Sequence, residues 1–248
     1  IRVSLVGSEM CIRDSIPTLL LLVLQRPLSA LQFGDGVASS LGVNVKQIKV
    51  ACLTLAIFVT AAVVSEVGLI GFVGIVAPAL ARMLGARALH WQILISGLVG
   101  ATMLLLADLS IQPFSGVGGE LLPTGAMTAL LGAPFLLWLL QRKSLQSDLK
   151  ARDEVVEQYR HRSLLKVVSG LVVTLVIAVV VGIFVGKNQT GWSIADSMAV
   201  LELRLPRVFV ALLAGIGLAF AGTIIQRVSN NPMASPEILG ISSGAALA

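Results

Sequence analysis

Charged side chains are scarce in this 248-residue chain: Asp, Glu, Lys and Arg together make up 12% of it, whereas 56% of its residues are hydrophobic. A soluble domain exposes a surface too large to be covered with so few charges. The apolar runs 121–140 and 164–185 are about as long as the roughly 20 residues that a helix needs to cross a bilayer. The sequence therefore predicts an all-α, polytopic membrane protein.

No ionisable residue lies at the middle of any long apolar segment. A charge there would cost about 2.5–3.5 kcal/mol on insertion scales and would mark a proton relay or an ion site. Its absence weakens the case for a proton- or sodium-coupled carrier. The chain also has no G-x-x-x-x-G-K-[ST] phosphate loop. It cannot hydrolyse ATP by that means, so the driving force of any ATP-powered transport would come from another subunit.

Cysteine and histidine are also few. Two cysteines give no disulfide framework, and His90 and His161 have no spacing to Cys, Asp or Glu that is typical of a metal site. We therefore expect no metal, no cofactor and no catalytic residue. The net charge of +5 comes from short loops between apolar runs, which favours a membrane-topology signal over a nucleic-acid partner.

Basic residues fall almost entirely on one side when successive loops are assigned alternately to the two faces of the bilayer. Thirteen lie on one side and three on the other, so the positive-inside rule predicts that the first side is cytoplasmic. The cytoplasmic set is Arg26, Lys46, Lys49, Arg82, Arg87, Arg142, Lys143, Lys150, Arg152, Arg160, Arg162, Lys166 and Arg227. The outer set is Lys187, Arg204 and Arg207, alongside Glu66, Asp108, Glu120, Asp196 and Glu202.

This alternation counts the short segment 69–81 as one crossing. Gly71, Gly74 and Pro78 interrupt it. Lipid tolerates a break in a spanning segment only where protein surrounds the backbone. We therefore expect a broken or incomplete helix here, packed inside the bundle.

Several strings resemble the permeases of the ATP-binding-cassette importers for iron–siderophore complexes, haem and vitamin B12. Residues 203–248, LRLPRVFVALLAGIGLAFAGTIIQRVSNNPMASPEILGISSGAALA, resemble the beginning of such a permease. Residues 33–43, FGDGVASSLGV, resemble the family's cytoplasmic coupling loop. GFVGIVAPALAR (71–82) and the stretch from LLLAD (104–108) to Pro134 resemble its closing third. The end of one permease unit thus precedes the start of another.

That order resembles the double-length iron(III)-hydroxamate permeases of the family, in which two ten-helix halves are fused. The resemblance implies that 16–140 is the C-terminal part of a first unit and that 164–248 is the truncated N-terminal part of a second. Residues 141–163, rich in both charge signs, would be the cytoplasmic linker. The polar residues 1–15 fit no spanning pattern, and we expect them to be a non-native, adapter-derived segment.

The resemblance implies a permease that moves iron(III)–siderophore complexes, hydroxamates in particular, from the periplasm to the cytoplasm across the bacterial inner membrane. Its partners would be a pair of cytoplasmic ATPase subunits, where ATP is hydrolysed, and a periplasmic substrate-binding protein. A vitamin B12 or haem permease, or a secondary transporter with duplicated halves, remains an alternative; the latter normally carries an intramembrane carboxylate. A channel is a third possibility, although no ring-forming motif is visible.

The resemblance also assigns residues to two contact surfaces. Four residues of the 33–43 loop would belong to the coupling helices that sit in a cleft of the ATPase: Gly34, Asp35, Leu41 and Gly42. Arg204 and Arg207, in the string LRLPR, would meet glutamates of the binding protein. Where the family often has a further outward arginine after LLAD, this chain has Gln112. No residue of the substrate path is assigned.

Overall fold

The computed structural model describes residues 35–40, 42, 44–68, 70–86, 88–112, 128–130, 132–134, 137–138, 161–188, 191–194 and 198–236. The bounded elements in these ranges are α1 (Asp35–Ser40), α2 (Val45–Val67), α3 (Val73–Met83), α4 (Leu89–Ile111), α5 (His161–Phe184), β1 (Val185–Asn188), β2 (Gly191–Ile194) and α6 (Met198–Val228). Most of the predicted 121–140 span lies outside the described residues.

Four of these helices are long and apolar enough to cross a membrane. They are α2, α4, the Leu164–Phe184 part of α5 and the Arg204–Val228 part of α6. Each contains an apolar segment that the sequence predicts. The expected helical, polytopic architecture is therefore confirmed.

The short segment is an incomplete helix, as expected, but it is not broken: two of the three predicted interruptions, Gly74 and Pro78, lie inside a continuous α3. Helix α2 ends at Gly68, whose φ of 81° lies in the left-handed region. Phe72 also has a positive φ, of 70°, and α3 begins only after it. The 11 residues of α3, with Pro78 inside, extend about 16 Å, roughly half of a hydrocarbon core. Ile70 and Val73 beside this turn are buried, whereas Gly68 is exposed, so protein encloses the backbone there only in part.

Helix α6 lies at the centre of the bundle and packs against α2, α3 and α4. Glycines of α6 allow its backbone to contact the backbones of α3 and α4 directly. A Cβ atom on Gly100 of α4 would meet the carbonyl oxygen of Gly215, and one on Gly222 would meet the carbonyl oxygen of Gly74 in α3. Small residues permit this approach, and in lipid such close packing replaces the hydrophobic drive for helix association.

Helix α5 lies at the edge. In the most apolar 18-residue stretch of α5, 11% of the residues are buried, whereas the corresponding share is 61% in α4 and in α6. Its inward contacts join it to α4 and α6 through a cluster that includes Leu105, Ala178 and Val208. The remaining face is apolar and exposed, as at Val173 and Ile177.

A short hairpin joins α5 to α6, which the all-helical prediction did not include. Its strands β1 and β2 are antiparallel, with Val185 opposite Ile194 and Asn188 opposite Gly191. Each strand has four residues, and the apolar pattern of α5 runs directly into the first of them. Strands this short leave no alternating pattern for a sequence to show.

We predict that Gly100→Ala destabilises the protein by about 1–3 kcal/mol, because the added methyl group would push α4 away from the backbone of α6. The matched control is Gly170→Ala on α5, where a Cβ meets nothing within 4 Å. That change should be neutral or slightly stabilising, since alanine is the better helix former. Thermal unfolding of the full-length protein in detergent measures both, and equal midpoints for the two variants would contradict the packing argument.

Candidate functional site

The charged and amide side chains that join helices collect at the two ends of the bundle. Helices α4 and α6 run antiparallel, because Asp108 in the last turn of α4 contacts Arg207 near the start of α6, whereas Gln92 at the start of α4 contacts Arg227 at the end of α6. We call the end with Asp108, Arg204 and Arg207 the outer end and the end with Arg82, Gln92 and Arg227 the inner end. Residues that the charge alternation assigns to one side thus lie at one end of the bundle.

Arg207 forms an ion pair with Asp108 at the outer end. Its Nε and Nη2 atoms both donate to Oδ1 of Asp108, at 2.9 and 2.7 Å. The Asp108 side chain is 9% exposed and the Arg207 side chain 49%. A carboxylate in the last turn of a helix is disfavoured by the helix dipole, so the arginine stabilises it there. Arg207 therefore has an internal partner while half of its side chain faces outward.

Arg204 caps the C-terminal end of α5. Its Nη1 donates to the carbonyl oxygens of Ile183 and Phe184, at 3.4 and 3.1 Å. These are among the carbonyls that a helix end leaves without an internal partner. The guanidinium also lies directly against Gly186 of β1, where a Cβ atom would meet it. Arg204 therefore ties α6 to both α5 and the hairpin.

The structure brings both predicted docking arginines to the outer end but shows contacts that sequence analysis missed. The only available signal for the ion pair was that Asp108 and the LRLPR string were assigned to the same side. Gln112, at the place where the resemblance implied a further outward arginine, is buried just after α4. It presents no charge at the outer surface.

A second set of cross-helix contacts lies at the inner end. Arg82 of α3 donates through Nη1 to Oε1 of Gln226 at 2.6 Å, and Nε2 of Gln226 lies 3.4 Å from the carbonyl oxygen of Gly74. Arg227 donates through Nε to Oε1 of Gln92 at 3.0 Å. The arginines were placed on this side from sequence, whereas the glutamines were not singled out. Their amides can stabilise a partly buried arginine without introducing a carboxylate.

The predicted coupling loop, 33–43, contains the short helix α1 and a turn at Gly42, and the spanning helix α2 begins just after it. Asp35 begins α1, and Gly42 then adopts a φ of 81° while its N–H donates to Ser39 O at 3.0 Å. Asn44 caps α2 by accepting a hydrogen bond from the Gln47 N–H at 3.2 Å. Glycine favours the left-handed conformation that this reversal needs. Gly34 and Leu41 lie outside the described residues, and so does the Asp35 side chain.

The segregated ends, the four long apolar helices and the short apolar helix α3 define a multi-pass membrane protein. The model of the FecCD transport family matches residues 12–142 and 167–248, so the chain belongs to that family. It is a protein of the bacterial inner membrane. The interval between the two matches overlaps the linker predicted at 141–163, although the domain boundaries stay predictions.

Similar proteins include the iron(3+)-hydroxamate import system permease protein FhuB of Escherichia coli K12, which is 46% identical over 233 residues, 92% of this chain and 35% of the relative. The hemin transport system permease protein HmuU of Yersinia pestis is 41% identical over 132 residues, 53% of this chain and 39% of the relative. The Fe(3+) dicitrate transport system permease protein FecC of Escherichia coli K12 is 35% identical over 129 residues, 52% of this chain and 38% of the relative. The chain thus spans about a third of the length of these relatives. No solved structure matches it.

We predict unequal effects of removing the two partners of the outer ion pair. Arg207→Ala should destabilise the protein by about 3–5 kcal/mol, because it leaves the carboxylate of Asp108 buried without a counter-charge. Asp108→Asn should cost about 1 kcal/mol or less, because the half-exposed Arg207 stays hydrated. Thermal unfolding of the full-length protein provides the comparison. A larger loss of stability for Asp108→Asn than for Arg207→Ala would contradict the conclusion that Asp108 is the buried partner of the pair.

Proposed function

We propose that this chain is part of the transmembrane permease of an ATP-binding-cassette importer that moves iron(III)–hydroxamate complexes from the periplasm to the cytoplasm. The observation that carries the proposal is the 46% identity to a permease named for iron(3+)-hydroxamate import, continuous over 92% of the chain. That alignment runs across both family matches and the interval between them. The haem and dicitrate relatives align over only about half of the chain.

Transport rather than catalysis is the role of this subunit, and ATP hydrolysis takes place on a pair of separate ATPase chains. The sequence has no phosphate loop of its own. The loop at 33–43 supplies the contact with the ATPase. Its support is the short helix α1 followed by the left-handed Gly42, with Gly36, Ser39 and Ser40 exposed. A short helix held on a tight turn can follow a moving partner as one rigid unit.

A periplasmic binding protein docks at the outer end, through Arg204 and Arg207. Arg207 supports this role best, because half of its side chain is exposed. Arg204 contributes a second positive charge three residues away, on the same face of α6. Such charges guide the encounter and orient the partner more than they add affinity.

Uptake assays test the substrate. The full-length protein, expressed with its ATPase and binding protein in cells that lack hydroxamate uptake, should restore accumulation of a radiolabelled iron(III)–hydroxamate. Unlabelled hydroxamate complexes should compete, and haem, catecholate complexes and corrinoids should not. Restored haem or corrinoid uptake without hydroxamate uptake would reject the proposed substrate and favour the haem or vitamin B12 alternative.

The coupling role of the 33–43 loop is tested by substituting two of its residues. The double variant Asp35→Arg/Leu41→Asp should lose association with the ATPase and should lose transport, because a reversed charge and a buried carboxylate would oppose its seating in the ATPase cleft. Lys166→Glu, a charge reversal on exposed α5 outside the loop, is the control and should retain both. Co-purification and ATP hydrolysis in nanodiscs are the measurements. Intact assembly and transport in the loop variant would refute the assignment.

A further inference from the structure

The ion pair at the outer end uses only one edge of the Arg207 guanidinium. Nε and Nη2 both donate to Oδ1 of Asp108. Nη1 makes no hydrogen bond with any part of the chain that the structure describes. A guanidinium carries five N–H donors in a fixed plane, so the edge formed by Nη1 and the second N–H of Nη2 can serve another acceptor. Arg207 can therefore hold Asp108 and a second carboxylate at once.

An incoming carboxylate could reach Arg207 in two ways. It could replace Asp108, or it could share the guanidinium with Asp108. Replacement would leave the Asp108 side chain, only 9% exposed, as a buried charge without its partner. Breaking a buried pair on one side is strongly destabilising. Sharing keeps Asp108 paired and uses Nη1, which does not bond to Asp108, on a side chain that is 49% exposed.

We propose that Asp108 is a positioning residue for docking: it holds the Arg207 guanidinium in one orientation at the outer end and leaves Nη1 for a carboxylate of the docking partner. This inference rests on the proposed docking role of Arg207. The partner chemistry is an acidic protein surface whose carboxylate meets the guanidinium edge to edge, the geometry in which arginine binds carboxylates best.

Preorganisation is the physical benefit of this arrangement. A free arginine side chain loses rotamer freedom when a partner binds it, and that loss weakens the complex. Asp108 removes much of this freedom before docking, because two hydrogen bonds fix the guanidinium. It also ties Arg207 to α4, on the other side of the predicted linker from α6. The docking charge is thereby placed relative to both parts of the chain.

The opposite possibility is that Asp108 merely neutralises Arg207. In that case its charge would compete with the partner's carboxylate, and its removal would tighten docking. The two possibilities therefore predict changes of opposite sign in the same variant, Asp108→Asn.

The test is binding of the loaded periplasmic binding protein to the full-length permease, assembled with its ATPase in nanodiscs. For Asp108→Asn we expect a dissociation constant about two- to ten-fold higher, the range set by immobilising one long side chain. The change should lie mainly in the dissociation rate constant, since the positive charge that steers association is retained. Asp108→Glu, which keeps a carboxylate, should recover part of the loss. Unchanged or tighter binding by Asp108→Asn would overturn the proposal.

Glu202→Gln is the matched control. Glu202 is an exposed acidic residue near the start of the same helix and makes no hydrogen bond or ion pair within the described residues. Its substitution removes the same charge from the same end of the bundle, but it should leave the dissociation rate constant unchanged. An equal effect from Glu202→Gln would show that Asp108 acts only through its charge, which also overturns the proposal.

The double variant Asp108→Asn/Arg207→Gln separates this inference from the docking role on which it rests, because it removes both charges and leaves no buried carboxylate unpaired. It should slow association and flatten its salt dependence. If its binding equals that of the native protein, the docking role of Arg207 fails and the inference fails with it. If it is impaired while Asp108→Asn is not, docking stands and positioning alone is rejected.

Should Asp108→Asn prove unstable, Arg207→Lys serves instead. A lysine keeps the internal pair but lacks a second fixed edge, so native affinity in that variant would reject the proposal.

Discussion

Direct backbone contact between α6 and its neighbours fixes how the helices of the bundle pack. Gly215 of α6 lies against Gly100 of α4, and no side chain separates the two helices there. Because the helices are antiparallel, this contact sets their register. Asp108 lies eight residues after Gly100 and Arg207 eight residues before Gly215, about 12 Å along each axis. The same crossing that packs the helices therefore brings the two charges of the outer ion pair to one level.

The polar contacts follow from the low-dielectric surroundings. A buried polar group in a membrane protein is stable only when it has a partner. At the outer end Asp108 has Arg207, and at the inner end Gln92 and Gln226 accept from arginines of neighbouring helices. These contacts join different helices, so they stabilise the bundle as a whole. They lie near the helix ends, where water and headgroups lower the cost of the charge that remains exposed.

The positions of the arginines could be predicted better than their partners. Charge alternation placed Arg204, Arg207 and Arg227 at the ends where the structure has them. It did not indicate that Arg204 caps α5 or that Arg207 holds Asp108, because the first contact joins residues 20 or 21 apart and the second joins residues on opposite sides of the linker. The hairpin was missed for a local reason, since its strands have only four residues each and show no alternating apolar pattern.

Hydropathy and charge along the chain already indicated which segments enter the membrane, that 69–81 is too short for a full crossing, and which ends carry positive charge. Length, hydropathy and the side preference of lysine and arginine are local properties, and a bilayer responds to each segment largely on its own. Which helix lies at the centre and which charges pair became visible only in the packed bundle. Both depend on contacts between helices that are far apart in the sequence. Glycines of α4 and α6 pack against each other, and this packing brings Asp108 next to Arg207.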